Sequence, residues 1–533
     1  MKVSALRASC AAALVFFFAL ACVPVRAQSD DQPRRRGQQA AASSSKQAAP
    51  AAPAPGGAAA DKGAAKPDQT DYNKLPPLPP DAHAEQSITL DGKKVNYTVT
   101  VGTLPVRDDQ GKTAGELVYT AYTVDQPNRA VTFAVNGGPG ASSVYLNFGA
   151  IGPKHLEGIG NEGASPSDPT TMTDNQGTWL GFTDLVFLDP IGTGFSRSLV
   201  DPAETRKLFY TTEPDIEYLS KAIYEWLVKN DRLTSRKYLV GESYGGFRGP
   251  RITYFLQSQI GVAMNGVVLV SPYLNPTLEQ NGDLSPLPWL VTLPSITAAN
   301  LERQGKLTPE AMQPVIAYTL GDYLTTLVHG SADKAASDAM IQKVTDMTGL
   351  DPTFVKEAGG RLETRAYLRE VHREQGKLGS VYDSNVTMLD PFPYASEQRA
   401  NDPILAAIIA PTTTAMVNFV THTVGWKTDA RYNALSFEVG GAWDRDADLR
   451  SGSATQLRDA VAADPKLQVM IVHGWNDLSC PFMGSILTVN QMPIMNDPGR
   501  VSVHEFPGGH MFYTRESSRV ALRHDVEKMF AQH

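Results

Sequence analysis

Residues 239–250 read LVGESYGGFRGP and set an acid, Glu242, directly beside a hydroxyl, Ser243. Gly241, Ser243 and Gly245 make a G-x-S-x-G pentapeptide between an apolar run and helix-forming text. In that setting a serine sits on a strained strand-to-helix turn, and small neighbours leave its hydroxyl open to a carbonyl. Such a nucleophile needs a base, and the base needs a carboxylate to hold its tautomer and offset its charge. Asp477 in GWNDLSCPF and His510 in FPGGHMFY each follow a strand-like run. Taken singly they are ordinary loop residues. In the chain order serine, aspartate, histidine they make a triad of Ser243, Asp477 and His510 the expected chemistry. An oxyanion needs donors as well. Asn136-Gly137-Gly138-Pro139-Gly140 directly follows AVTFAV, so a backbone N–H of this loop and the N–H of Tyr244 are expected to face the developing charge. Glu242 is the puzzle, because a carboxylate there opposes negative charge on the reacting oxygen unless it carries a proton or binds something.

Five motifs in order, NGGPGASS, FLDPIGTGFS, GESYGG, GWNDLSCPF and GGHM, resemble those of the serine carboxypeptidases, the S10 peptidases. The resemblance runs from Asn136 to the C-terminus. It implies serine-type hydrolysis of the last peptide bond of peptides with a free C-terminus, with no cofactor and no metal. It assigns Ser243, Asp477 and His510 to the triad and Gly138 and Tyr244 to the oxyanion hole. Asn136 and Glu242 match residues that bind the substrate's terminal carboxylate, and Cys480 and Met511 match positions near the substrate pocket. Two carboxylates at hydrogen-bond distance share a proton, so Glu242 is expected to be protonated in the complex and peptidase activity to favour acidic pH.

Three departures qualify what the resemblance implies. Ala150 stands where motif spacing puts the family's second glutamate, the partner of the first. Ala141 replaces the cysteine of disulfide-linked relatives, and Phe247-Arg248 replaces His and Tyr. Loss of the acidic partner weakens both the acid optimum and strict C-terminal specificity. It keeps a serine esterase or acyltransferase on the same fold as the alternative. Arg248 is expected to cap or pair within the nucleophile helix, Asp189 to serve a turn, and His473 and His504 to be strand residues.

These residues need a scaffold. Short β-branched runs at 130–135, 184–189, 237–240, 266–271, 468–474 and 500–506 read as strands, preceded by an antiparallel pattern from about His83. EPDIEYLSKAIYEWLVKN has helical periodicity and separates two of the runs, which is the βαβ signature. The fold class expected is the α/β-hydrolase fold: a central, mostly parallel sheet flanked by helices, with a helical cap insertion. The catalytic domain is expected at 81–276 and 451–533, and the cap at 277–450.

The 533 residues are 42% hydrophobic, ample for a large core, and carry a formal net charge of -8. No basic face invites nucleic acid. Residues 1–27 have Lys2 and Arg7, then an apolar core, then VRA before Gln28, the layout of a signal peptide. Cys22 after ALA offers an alternative lipid attachment, hence a membrane tether. Residues 28–80 are rich in Ala and Pro and read as a disordered linker. The chain is expected to be exported, either periplasmic or secreted, with the membrane-anchored lipoprotein as the other form. Of Cys10, Cys22 and Cys480, only the last survives signal removal, so the core must be stable without disulfides.

Overall fold

The computed structural model describes residues 75–531, apart from 161–162, 279–283, 397, 446–451 and 496. The expected leader, and the expected linker as far as residue 74, lie outside the described residues.

Three antiparallel strands open a ten-stranded sheet: β1 (Ala82–Leu90), β2 (Lys93–Arg107) and β3 (Thr113–Thr123). Asp91 and Gly92 join the first two, both with positive φ (50° and 76°), the two-residue hairpin geometry that Asp-Gly favours. Then come β4 (Ala130–Val135), β5 (Thr183–Leu188), the two-residue β6 (Arg197–Ser198) and β7 (Lys237–Glu242). β8 (Gly266–Val270), β9 (Gln468–Gly474) and β10 (Val501–Phe506) complete the sheet. Across it the order is β1-β2-β3-β5-β4-β7-β8-β9-β10, with β6 pairing β3. From β5 to β10 every neighbour is parallel.

Every residue of β4, β5, β7 and β8 is buried. A strand covered on both faces reads as an unbroken apolar run rather than an alternating one. Successive side chains still point to opposite faces. Along β7, Tyr238 and Val240 join one core with Met529 and Phe530 of the C-terminal helix Glu516–Ala531. Leu239 joins the other core with Leu219 and Trp226 of the helix Thr212–Lys229. The result is three layers, with β7 in the middle.

The chain between β8 and β9 is mainly helical, and its helices Leu287–Arg303, Lys334–Thr348 and Thr364–Glu370 share a separate core of Leu293, Ile296, Val344 and Tyr367. The helical text at 361–376 gives less helix than its composition suggests. The helix stops at Glu370, a short turn ends at Gly376 with φ 64°, and Lys377–Gly379 pairs antiparallel with Thr387–Leu389. Pro403–Val424, 22 residues long, is apolar enough to cross a membrane by length and composition, with a mean hydropathy of 1.6 over its most apolar 18 residues. Its Phe419 packs against Phe148 and Tyr122 of the sheet-side core, and 39% of that apolar stretch is buried.

Candidate active site

β7 ends at Glu242 and the next helix, Tyr244–Phe255, begins two residues later, so Ser243 alone makes the turn. Its backbone takes φ 59° and ψ -120°, a conformation that a side chain tolerates only when its surroundings fix it. The fixing bonds are Ser243 N–H to Val270 O (3.0 Å) and the N–H groups of Tyr273 (3.0 Å) and Gly246 (2.8 Å) to Ser243 O. The neighbouring parallel strand β4 delivers the Asn136–Gly140 loop against this turn. A Cβ at Gly137 would collide with Tyr244 N, so only glycine lets the loop lie on the first residue of the helix. Gly138 follows with φ 98°.

Asp477 lies just past the end of β9. Its Oδ1 accepts the N–H groups of Ser479 (2.8 Å) and Cys480 (3.0 Å), which leaves Oδ2 to the imidazole: His510 Nδ1 is 2.8 Å away. His510, past the end of β10, is held by its backbone, with N–H to Tyr382 O (2.5 Å) and O accepting the Ser271 hydroxyl (2.8 Å). The Tyr382 ring lies 5.1 Å from the imidazole. Burial lowers the His510 pKa, but the charge of Asp477 and its hydrogen bond outweigh this and hold it above the usual histidine range. The structure thus brings His510 and Asp477 into contact. Ser243 Oγ forms no hydrogen bond to His510 among the described residues. Apo geometries of this kind commonly close only on the substrate.

Glu242 is 3% exposed and fully bonded. Asn136 Nδ2 donates to its Oε2 at 2.6 Å, and the Tyr513 hydroxyl lies 2.8 Å from both carboxyl oxygens. Asn136 is oriented in turn, its Oδ1 accepting the N–H of Leu146 at 2.9 Å. Burial pushes the Glu242 pKa up to about 7, against the opposing pull of His510, Tyr513 and Asn136. Ala150 is a buried wall of the apolar core, and no acid stands there. Sequence reasoning missed Tyr513. Its only signal was a phenol three residues past the histidine, in a chain that had lost an acid elsewhere.

The serine carboxypeptidase family model matches residues 112–505 of this sequence. The chain belongs to the serine carboxypeptidase family. Among curated members it is 30% identical over 257 residues to serine carboxypeptidase-like 50 of Arabidopsis thaliana, covering 47% of this chain and 52% of that protein. It is 30% identical over 186 residues to a pheromone-processing carboxypeptidase of Aspergillus niger, covering 34% of this chain and 27% of the other. These alignments span about half or less of the relatives' length. A solved prohormone-processing carboxypeptidase from Saccharomyces cerevisiae superimposes with TM-score 0.52 at 15% identity, over 82% of this chain and 92% of that one. The likeness extends to the fold: this serine carboxypeptidase family member is an α/β-hydrolase.

Other residues singled out from the sequence find varied settings in this family member. Within its own helix Arg248 lies over the Tyr244 ring, 5.1 Å from its centroid, but its ion pair is with another helix: it bonds Asp215 of Thr212–Lys229 at 2.6 and 3.1 Å and donates to Asn136 O at 2.8 Å. The sequence cannot show a partner 33 positions away. Asp189 accepts the Ser143 N–H at 2.8 Å, in the turn after β5. His473 bonds Ser485 at 2.8 Å, and burial pushes it down to about 3. His504 sits 3.0 Å from the Ser502 hydroxyl. Cys480 is buried and not disulfide-bonded. Met511 lines a cavity of about 490 Å³ with Gly509, His372, Asp383 and Arg515, whereas Cys480, Ser243 and Glu242 are not part of its wall. Among the described residues no cluster of three or more His, Cys, Asp or Glu is placed to hold a metal.

Proposed function

We propose that this protein is a serine-type carboxypeptidase that shortens peptides by one residue at a time from a free C-terminus. The Ser243 hydroxyl attacks the last peptide carbonyl and passes its proton to His510 Nε2, while Asp477 offsets the imidazolium charge. The N–H groups of Gly138 and Tyr244 receive the oxyanion. His510 then gives its proton to the leaving amine, and an acyl-enzyme remains on Ser243. Water, deprotonated by His510, attacks that ester and releases the shortened peptide. The observation that carries the reading is the buried Asn136–Glu242 pair, one residue from the nucleophile. A terminal carboxylate bonded there leaves only the last peptide bond within reach of Ser243. Glu242 must carry a proton to share a hydrogen bond with that carboxylate, and a pKa near 7 makes the proton available.

In this reading the insertion at 277–450 shapes the pocket for the terminal side chains, with Cys480 and Met511 at its edge. Residues 1–27 direct export and 28–80 tether the enzyme. The names of the carboxypeptidase relatives support peptide substrates. Ser243→Ala is expected to abolish release of the terminal residue from a blocked dipeptide, followed by amine detection. Turnover at the wild-type rate in that variant sinks the assignment.

A further inference from the structure

Glu242 faces Asn136 and Tyr513 at bonding distance and, within electrostatic range, His510, Asp477, Tyr145 and Tyr382. Within that set Tyr513 is the one phenol that bonds it, and the 2.8 Å to each oxygen aligns the carboxyl plane on a single hydroxyl. The phenol is fully buried. Burial and the Glu242 charge hold its pKa well above the usual tyrosine range, so it donates at every working pH.

The surroundings are arranged for this ring. A Cβ at Gly149 would stand 2.8 Å from Tyr513 Cε2, so the residue beside Ala150 must be glycine for the ring to lie there. Behind the ring, Arg519 Nη1 donates to Tyr513 O at 2.8 Å, and Arg519 Nε donates to Asn175 Oδ1 at 2.9 Å. The Asn175 amide donates to Ala150 O and Gly152 O, both at 2.8 Å. One chain of bonds therefore ties the Tyr513 backbone to the segment that contains Ala150.

We propose that Tyr513 is the positioning residue that presents Glu242 to the substrate's terminal carboxylate. The proposal rests on the carboxypeptidase reading and deepens it. A phenol can hold Glu242 in either protonation state, whereas a second carboxyl could do so only while one proton was shared. The site therefore contains one titrating carboxyl, not a coupled pair.

Tyr513→Phe keeps the ring against Gly149 and removes only the hydroxyl. Measured below pH 7, its preference for a blocked dipeptide acid over the corresponding amide, as a ratio of kcat/KM, is expected to fall about tenfold from wild type. The same bond favours ionised Glu242, so its loss should move the alkaline limb of free-acid turnover to higher pH. A role in folding alone would move neither the ratio nor the limb. Fluorophosphonate labelling of Ser243 checks that the nucleophile is intact. If the Phe variant fails to label, Gly149→Ala, which crowds the ring from the other side, reads out the same ratio. A variant with the wild-type ratio and limb overturns the role of Tyr513. A wild-type enzyme indifferent to acid and amide overturns the carboxypeptidase reading itself, and the proposal falls with it.

Discussion

At the scale of single residues, the proposed role of Glu242 predicts the pH behaviour. Its raised pKa means that it is neutral below about pH 7 and ionised above. A neutral carboxyl donates to the substrate carboxylate, and an ionised one repels it. Free-acid turnover is therefore expected to fall roughly tenfold per pH unit once Glu242 has ionised, and kcat/KM for an ester lacking that carboxylate should not share the limb. Stopped assays on the two substrates between acidic and alkaline pH check this. In the proposed mechanism the acid limb belongs to His510, which must be neutral to accept the serine proton and whose raised pKa shifts that limb upward. The His510–Asp477 contact was legible from the sequence because each residue sits in a short motif at a strand end. Tyr513 was not, since a phenol's partner across 271 positions leaves no local trace.

At the scale of elements, the pair Arg248–Asp215 ties the nucleophile helix to its neighbour, and the third bond of Arg248 holds the backbone of Asn136. Both side chains of the pair are 1% exposed. Asp215→Ala strands a buried guanidinium and is expected to cost about 3–5 kcal/mol, read by urea unfolding. Loss of less than about 1 kcal/mol would mean that the pair bears little of the helix docking. The strands were legible because β4, β7 and β8 are buried on both faces and leave unbroken apolar runs. Helical text in the insertion was less reliable. Charged residues at 361–376 satisfy helical composition, but Gly376 takes a left-handed turn and a two-stranded ribbon follows.

At the scale of the whole molecule, the mainly helical segment between β8 and β9 is tied to the loops that follow β9 and β10. Arg515 bonds Glu302 and Asp383, both contributed by the insertion, and Asn476, next to Asp477, donates to Glu302 Oε2 at 2.6 Å. Arg515→Ala leaves two facing carboxylates without their cation. It is expected to destabilise the protein by about 2 kcal/mol and to speed hydrogen exchange in the helix Leu287–Arg303; unchanged exchange there would place the lock elsewhere. The central claim concerns which peptides the proposed site accepts. Its most direct test is the ratio of kcat/KM for a blocked dipeptide bearing a free C-terminal carboxylate to that for its amide, measured with the wild-type protein below pH 7. The account predicts a strong preference for the free acid, abolished together with all turnover in Ser243→Ala. Equal turnover of acid and amide would contradict it.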